Sequence, residues 1–207
     1  MFAPSPASTP MFWLLDMAGI AVFAASGALT AARQRLDIVA AWFFAIITAI
    51  GGGSVRDLLI GAPVFWIRQS APVVVCLVTA TATWLTPGRW QPRRSLEWLD
   101  ALGLAAYAVY GASKAMHYGV APAPAIAMGV VTACMGGVIR DVTAGVPSIL
   151  LRQELYVTAA LLAATSYVAL SLLGVAEAVA APVSFLAGVS LRGAALGWNL
   201  ALPRHRG

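Results

Sequence analysis

Charge is what this chain has least of. Charged residues make up 10% of its 207 positions, against about 25% in soluble domains. A soluble fold could not solvate a surface this poor in charge, and 60% hydrophobic residues with a mean hydropathy of +0.84 place the chain in the membrane class. The chain has two cysteines, Cys76 and Cys134, both inside apolar runs, so they read as buried small hydrophobes and exclude a disulfide framework or metal pair. Two histidines, His117 and His205, leave no HExxH metal motif, and there is no phosphate-binding loop or nucleophile elbow. Lys114 is the lone lysine. The net charge of +5 does not point to nucleic acid, because the arginines are scattered at the ends of apolar runs, as membrane topology requires. Met1 to Pro10 lacks the basic start of a signal peptide and reads as a short disordered tail.

What is present is a duplicated motif. Gly51-Gly52-Gly53-Ser54-Val55-Arg56-Asp57 lies inside a long apolar run, and Met135-Gly136-Gly137-Val138-Ile139-Arg140-Asp141 repeats it 84 residues later. The same shift pairs Asp16 with Asp100, Gly19 with Gly103, Gly27 with Gly111, Gly61 with Gly145, Pro63 with Pro147 and Arg68 with Arg152. This is an internal duplication.

Seven apolar spans follow, over about 12–32, 36–60, 72–86, 96–116, 123–144, 155–173 and 179–200. Their length and lack of period-two alternation predict membrane helices, not barrel strands. The chain then divides into a tail (1–11), a first three-helix repeat (12–86), a basic loop (87–95), a second repeat (96–174), and a seventh helix with a basic tail (175–207). Arg33, Arg35, Arg89, Arg93, Arg94, Arg152, Arg204 and Arg206 fall on one side, and Arg68 with Lys114 on the other. The positive-inside rule therefore places the C-terminus in the cytoplasm and the N-terminus outside. Three spans separate the copies, so the second copy is inverted, a plan common in proteins that move solutes.

Gly51, Gly52 and Gly53, and Gly136 with Gly137, predict a kink or break in the second and fifth helices. A break would expose the carbonyls of Thr48, Ala49 and Ile50, with Ser54 as N-cap of the next segment. Such carbonyls attract cations, and non-helical backbone at this depth must line protein or water. The plainer reading makes the motif a packing site, its glycines allowing close helix approach and its charges stapling the helices. Because Asp57 and Asp141 lie about 100° round the helix from Arg56 and Arg140, the arginines are expected to pair with other acids or carbonyls, with Asp16 and Asp100 as candidates. Those two acids could equally be interfacial residues favoured by the helix dipole. A hydrolytic carboxylate pair is disfavoured by their symmetric, peripheral positions. Lys114 reads either as a snorkelling interfacial lysine or as a charge in the transmembrane field. Arg192 reads either as snorkelling or as paired within the bundle, and Gly193 with Gly197 has close-contact spacing.

The doubled GGGSVRDLLIGAPVFW and GGVIRDVTAGVPSILL segments and the 3+3+1 span count resemble the trimeric intracellular cation (TRIC) channels, more closely their prokaryotic members, also catalogued as a glycine-transporter domain family. The resemblance spans Asp16 to Leu200, with Met135 departing from the first glycine of the motif. It implies an all-α homotrimer, each protomer conducting K+ or Na+ through a pore lined by the kinked second and fifth helices at Gly51–Asp57 and Gly136–Asp141. It implies no enzymatic activity and no cofactor beyond the permeant ion, a voltage-related role for Lys114, and a bound membrane lipid, which in animal members is an inositol lipid near the kinks. The inverted repeat itself leaves a second expectation open, a secondary transporter of a small solute such as glycine.

Overall fold

The computed structural model describes residues 10–86, 94–149, 155–198 and 200. The expected terminal tails and most of the basic loop, with Arg89, Arg93, Arg152, Arg204, His205 and Arg206, lie outside the described residues. The described residues form seven α-helices and no strand: α1 (Pro10–Arg33), α2 (Ile38–Leu59), α3 (Ala71–Leu85), α4 (Ser95–His117), α5 (Pro122–Thr143), α6 (Val157–Leu172) and α7 (Glu177–Trp198). A short 3-10 turn, Phe65–Ile67, separates α2 from α3. By length and composition α2, α5 and α7 are each long and apolar enough to cross a membrane. With α3 and α6 at 15 and 16 residues, the two outer helices are about 22–24 Å long, shorter than the roughly 30 Å hydrocarbon layer. The span expected over 155–173 is thus trimmed at both ends, Tyr156 acting as its N-cap.

The duplication is visible in the contacts. A Cβ added at Gly19 would meet the Tyr107 ring, and one at Gly103 would meet Phe23, which stands at the position equivalent to Tyr107. A Cβ at Gly52 would overlap the Thr132 carbonyl oxygen, and one at Gly136 would overlap that of Thr48, again an equivalent pair. Such reciprocity, where i meets j′ and i′ meets j, is the mark of a two-fold axis. Arg33 at the end of α1 donates to Ser95 at the start of α4 (3.2 Å), so these two helices run in opposite directions. The α1/α4 and α2/α5 pairs build the centre, α3 and α6 flank them, and α7 packs on α4 and α6.

Both central helices end by one device. Gly61 and Gly145 adopt φ of 67° and 66°, and the amides of Ala62 and Val146 reach back to the carbonyls of Asp57 and Asp141 at 2.8 and 3.0 Å. Only glycine takes this left-handed cap without steric cost, and the turn directs the chain back over the aspartate.

The expected break at the glycines does not occur. Both α2 and α5 stay hydrogen-bonded helices through Gly51–Gly53 and Gly136–Gly137. Ser54 is not an N-cap; it lies inside α2 and its hydroxyl donates to the Ile50 carbonyl at 2.8 Å. The physical reason lies in the crossing. Bare glycine surfaces let the backbones of α2 and α5 touch, and that packing holds the glycine stretch helical against its poor intrinsic propensity.

Candidate functional site

The helical register carries Arg56 and Asp57 one turn beyond the α2–α5 crossing toward one end of the bundle, and carries Arg140 and Asp141 the same distance toward the other. All four are buried. Each arginine binds the aspartate next to it: Arg56 Nε and Nη2 lie 2.9 and 2.7 Å from Asp57 Oδ1, and Arg140 Nε and Nη2 lie 2.9 and 2.8 Å from Asp141 Oδ1. This corrects the expectation that neighbouring residues face apart. The arginine stem is long enough to wrap the 100° between them, and away from water a carboxylate this close is the strongest partner on offer. The second carboxylate oxygen accepts a backbone amide from the returning turn, Phe65 N–H to Asp57 Oδ2 (3.1 Å) and Ile149 N–H to Asp141 Oδ2 (2.8 Å). Phe65 and Ile149 are also equivalent under the 84-residue shift.

Beyond this shared core the two halves part. In the second half, Arg140 Nη1 reaches Asp100 Oδ1 at 2.8 Å and the Ser26 hydroxyl at 2.5 Å, so the expected Arg140–Asp100 pair forms. In the first half Arg56 makes no comparable ion pair with Asp16. The residue equivalent to Ser26 is Tyr110, and the Arg56 guanidinium lies 5.1 Å from its ring centroid. Asp16 is buried with Oδ1 free of hydrogen bonds, and the cations whose charge acts on it are Arg56 and Lys114. Both Asp16 and Asp100 are thus buried, which removes the dipole-favoured interfacial reading.

Lys114 fills the first half. Its Nζ sits 2.8 Å from Asp57 Oδ1 and 3.0 Å from Oδ2, and 5.7 Å from the Phe65 ring centroid. With 4% of its surface exposed, it does not snorkel. Arg192 does not snorkel either: it is fully buried, 5.4 Å from the Tyr156 ring centroid. Of the α7 glycines, Gly188 packs closely on Ala163 and Ala105 and Gly193 on the Trp98 ring, whereas a Cβ at Gly197 would meet nothing. The two cysteines are buried and free, and no group of three metal-ligating side chains occurs among the described residues.

The second half holds a cavity of about 240 Å³ where the first holds Lys114. It lies at the arginine-bearing end, and Thr30, Glu97, Asp100, Arg140, Asp141 and Ile149 line it. Thr30 is the residue equivalent to Lys114. Sequence reasoning missed Ser26, Tyr110, Thr30 and the two turn amides. The turn had a readable signal, the Gly-x-Pro spacing shared after Asp57 and Asp141. The others carried none, because the partners of a buried arginine depend on which helix crosses it.

The comparisons fit this geometry. The family model described as "Glycine transporter" matches the chain twice, over residues 13–87 and 97–172, once on each repeat. The UPF0126 inner membrane protein YadS of Escherichia coli is 38% identical over 202 residues, covering 93% of this chain and 95% of that protein. A UPF0126 membrane protein of Vibrio cholerae is 38% identical over 200 residues, covering 94% and 83%. The solved TRIC trimeric intracellular cation channel orthologue from Rhodobacter sphaeroides superposes with a TM-score of 0.86 at 41% identity, over 93% of this chain and all of that one. The relatives are membrane proteins or channels, and the chain is a multi-pass membrane protein, not an enzyme. With the glycine-transporter model matched once on each repeat and a seven-helix fold shared with the solved TRIC orthologue, the chain belongs to the TRIC channel family.

Proposed function

We propose that this protein is a monovalent cation channel for K+ or Na+, a homotrimer in the inner membrane with one conduction route per protomer along α2 and α5. The observation that carries the reading is the buried, hydrogen-bonded charge at Asp57 and Asp141 on those helices, with a cavity reaching Asp100, Arg140 and Asp141 from the arginine-bearing end. Ionisable groups inside a membrane protein are read by default as marks of a substrate or ion pathway, a proton relay or a voltage sensor. The glycine crossing keeps α2 and α5 in backbone contact, so a modest separation of the two would open a route between the clusters. Lys114 blocks that route in this conformation by neutralising Asp57. A charge carried across the whole membrane field gains about 2.3 kcal/mol per 100 mV, enough to bias a Lys114–Asp57 contact once part of that drop falls across it. The positive-inside rule orients the arginine-bearing end and the C-terminus to the cytoplasm, and the N-terminus outside. Exposed apolar side chains such as Phe43, Val78 and Leu186 face lipid or neighbouring protomers, and the reading needs no cofactor beyond the permeant ion.

Purified protein in a planar bilayer is expected to give unitary K+ and Na+ currents whose open probability depends on voltage. Silent bilayers containing folded trimer would refute the reading. The inverted repeat favours one rival, a carrier of a small solute such as glycine. Saturable, gradient-driven glycine uptake into proteoliposomes, competed by unlabelled glycine and without unitary currents, would establish the carrier instead.

A further inference from the structure

The last turn of α4 lies at the end of the bundle opposite Arg33 and Ser95. There α4, α6 and α7 close round a second cavity, of about 320 Å³ and open to the surface. Its walls are Met116, His117, Tyr167, Ser171, Val175 and Glu177. One buried residue, Ser113, sets out the two polar walls. Its carbonyl oxygen lies 2.9 Å from His117 Nδ1. A carbonyl can only accept, so Nδ1 carries the proton and Nε2 keeps its lone pair. The Ser113 hydroxyl donates to Glu177 Oε1 at 3.0 Å, and the Tyr167 hydroxyl donates to the same oxygen at 2.8 Å. Both bonds go to Oε1, which leaves Oε2 to a ligand. The turn between α6 and α7, with Gly174 at φ of 74°, is what returns Glu177 over Tyr167.

We propose that this cavity is a regulatory site for one divalent transition-metal ion of the zinc class, held between His117 on α4 and Glu177 on α7 with water completing its shell. An imidazole whose other ring nitrogen is fixed by a backbone carbonyl, beside a carboxylate itself held by hydroxyls, is the supported ligand arrangement such metals use. Imidazole suits zinc, copper and nickel, whereas magnesium and calcium seek oxygen alone. His117 is exposed and Glu177 half-buried, so an ion reaches both from solvent. Glu177 is the one carboxylate in the lining, and Lys114, one turn back on α4, is already bound to Asp57. Under the 84-residue shift His117 corresponds to Arg33 and Ser113 to Leu29, so the other end of the bundle carries no second copy of the pair. A metal tying the last turn of α4 to α7 holds Lys114 on Asp57 and favours the shut conformation. That consequence rests on the channel reading; the site itself follows from the cavity and its two ligands.

The test titrates the full chain in detergent, free of any affinity tag, with zinc chloride in a calorimeter. One zinc ion per protomer is expected to bind, undisturbed by excess Mg2+, and to raise the melting temperature until EDTA removes it. His117→Ala and Glu177→Gln should each weaken binding by more than about tenfold, the least that losing even a supporting group costs such sites. His205→Ala, which removes the other histidine of the chain, should change nothing. No saturable binding by the wild type, or binding that survives His117→Ala unchanged, would overturn the proposal. If Glu177→Gln does not fold, the exposed His117 variant decides alone. In planar bilayers, zinc on the His117 side should lower the open probability of the wild type and leave His117→Ala unaffected. Zinc binding by a protein that gives no currents would keep the site and remove the channel; currents from a protein that binds no zinc would keep the channel and remove the site.

Discussion

The two halves of this molecule share a skeleton and differ in how they balance it. Each has an Arg-Asp pair one turn past the same glycine crossing, a left-handed glycine cap, and a returning turn whose amide bonds the aspartate. In the first half a lysine from α4 completes the charge and a tyrosine covers the arginine. In the second half a serine from α1 and an aspartate from α4 hold the arginine, and open space stands in for the lysine. A duplicated gene fixes the backbone of both copies by the same rules, because helix caps and glycine crossings are local. The side chains that enter from the partner repeat are free to diverge, so the same backbone carries a lysine on the aspartate in one half and open space at the equivalent position in the other.

The largest test of that contrast removes the aspartates. Asp57→Ala leaves Arg56 and Lys114 buried without their shared carboxylate and is expected to cost about 3–5 kcal/mol. Asp141→Ala leaves Arg140 still paired with Asp100 and should cost clearly less. Thermal unfolding of both variants in one detergent checks this, and equal losses would erase the distinction between the halves. Next, Lys114→Met removes a charged hydrogen bond but leaves Asp57 on Arg56, for an expected loss of about 1.5–3 kcal/mol. The same variant should flatten the voltage dependence of open probability in bilayer recordings.

Gly52→Ala and Gly136→Ala probe what the halves share. Each puts a methyl group into the carbonyl of a partner helix, and each should cost about 1–3 kcal/mol by overpacking. Matching losses in denaturation midpoint support the two-fold relation, and a large mismatch would break it. The smallest effect concerns the loop after α1. Arg35 holds φ of 57°, while its equivalent, Gly119, holds 78°. Arg35→Gly is expected to stabilise by about 0.5–1 kcal/mol, since the left-handed conformation costs arginine more than glycine, less the entropy glycine regains on unfolding. A differential scanning measurement resolves it.

Helix positions were legible in the sequence to within a few residues, because apolar runs of membrane length admit few alternatives. The meaning of the glycines was half legible. A glycine triplet predicts both backbone freedom and close approach, and reading it as a break treated α2 as though it stood alone. Placing Ser54 as a cap failed for the same reason, since in the bundle the helix never stops there. For Arg140, the expected Asp100 partner was found, joined by Ser26 from the other repeat; for Arg56, Asp16 was not, and Tyr110 and Lys114 of the other repeat stand there instead.

The sequence by itself determined the membrane class, the seven helices and the 84-residue duplication, all of which follow from composition, length and spacing. Only the tertiary structure decided that the glycines pack instead of breaking the helices, that Lys114 is buried on Asp57, and that Thr30 leaves a cavity in the matching place. Those outcomes depend on which side chains meet across helices more than fifty residues apart in the chain, and no local pattern encodes such meetings.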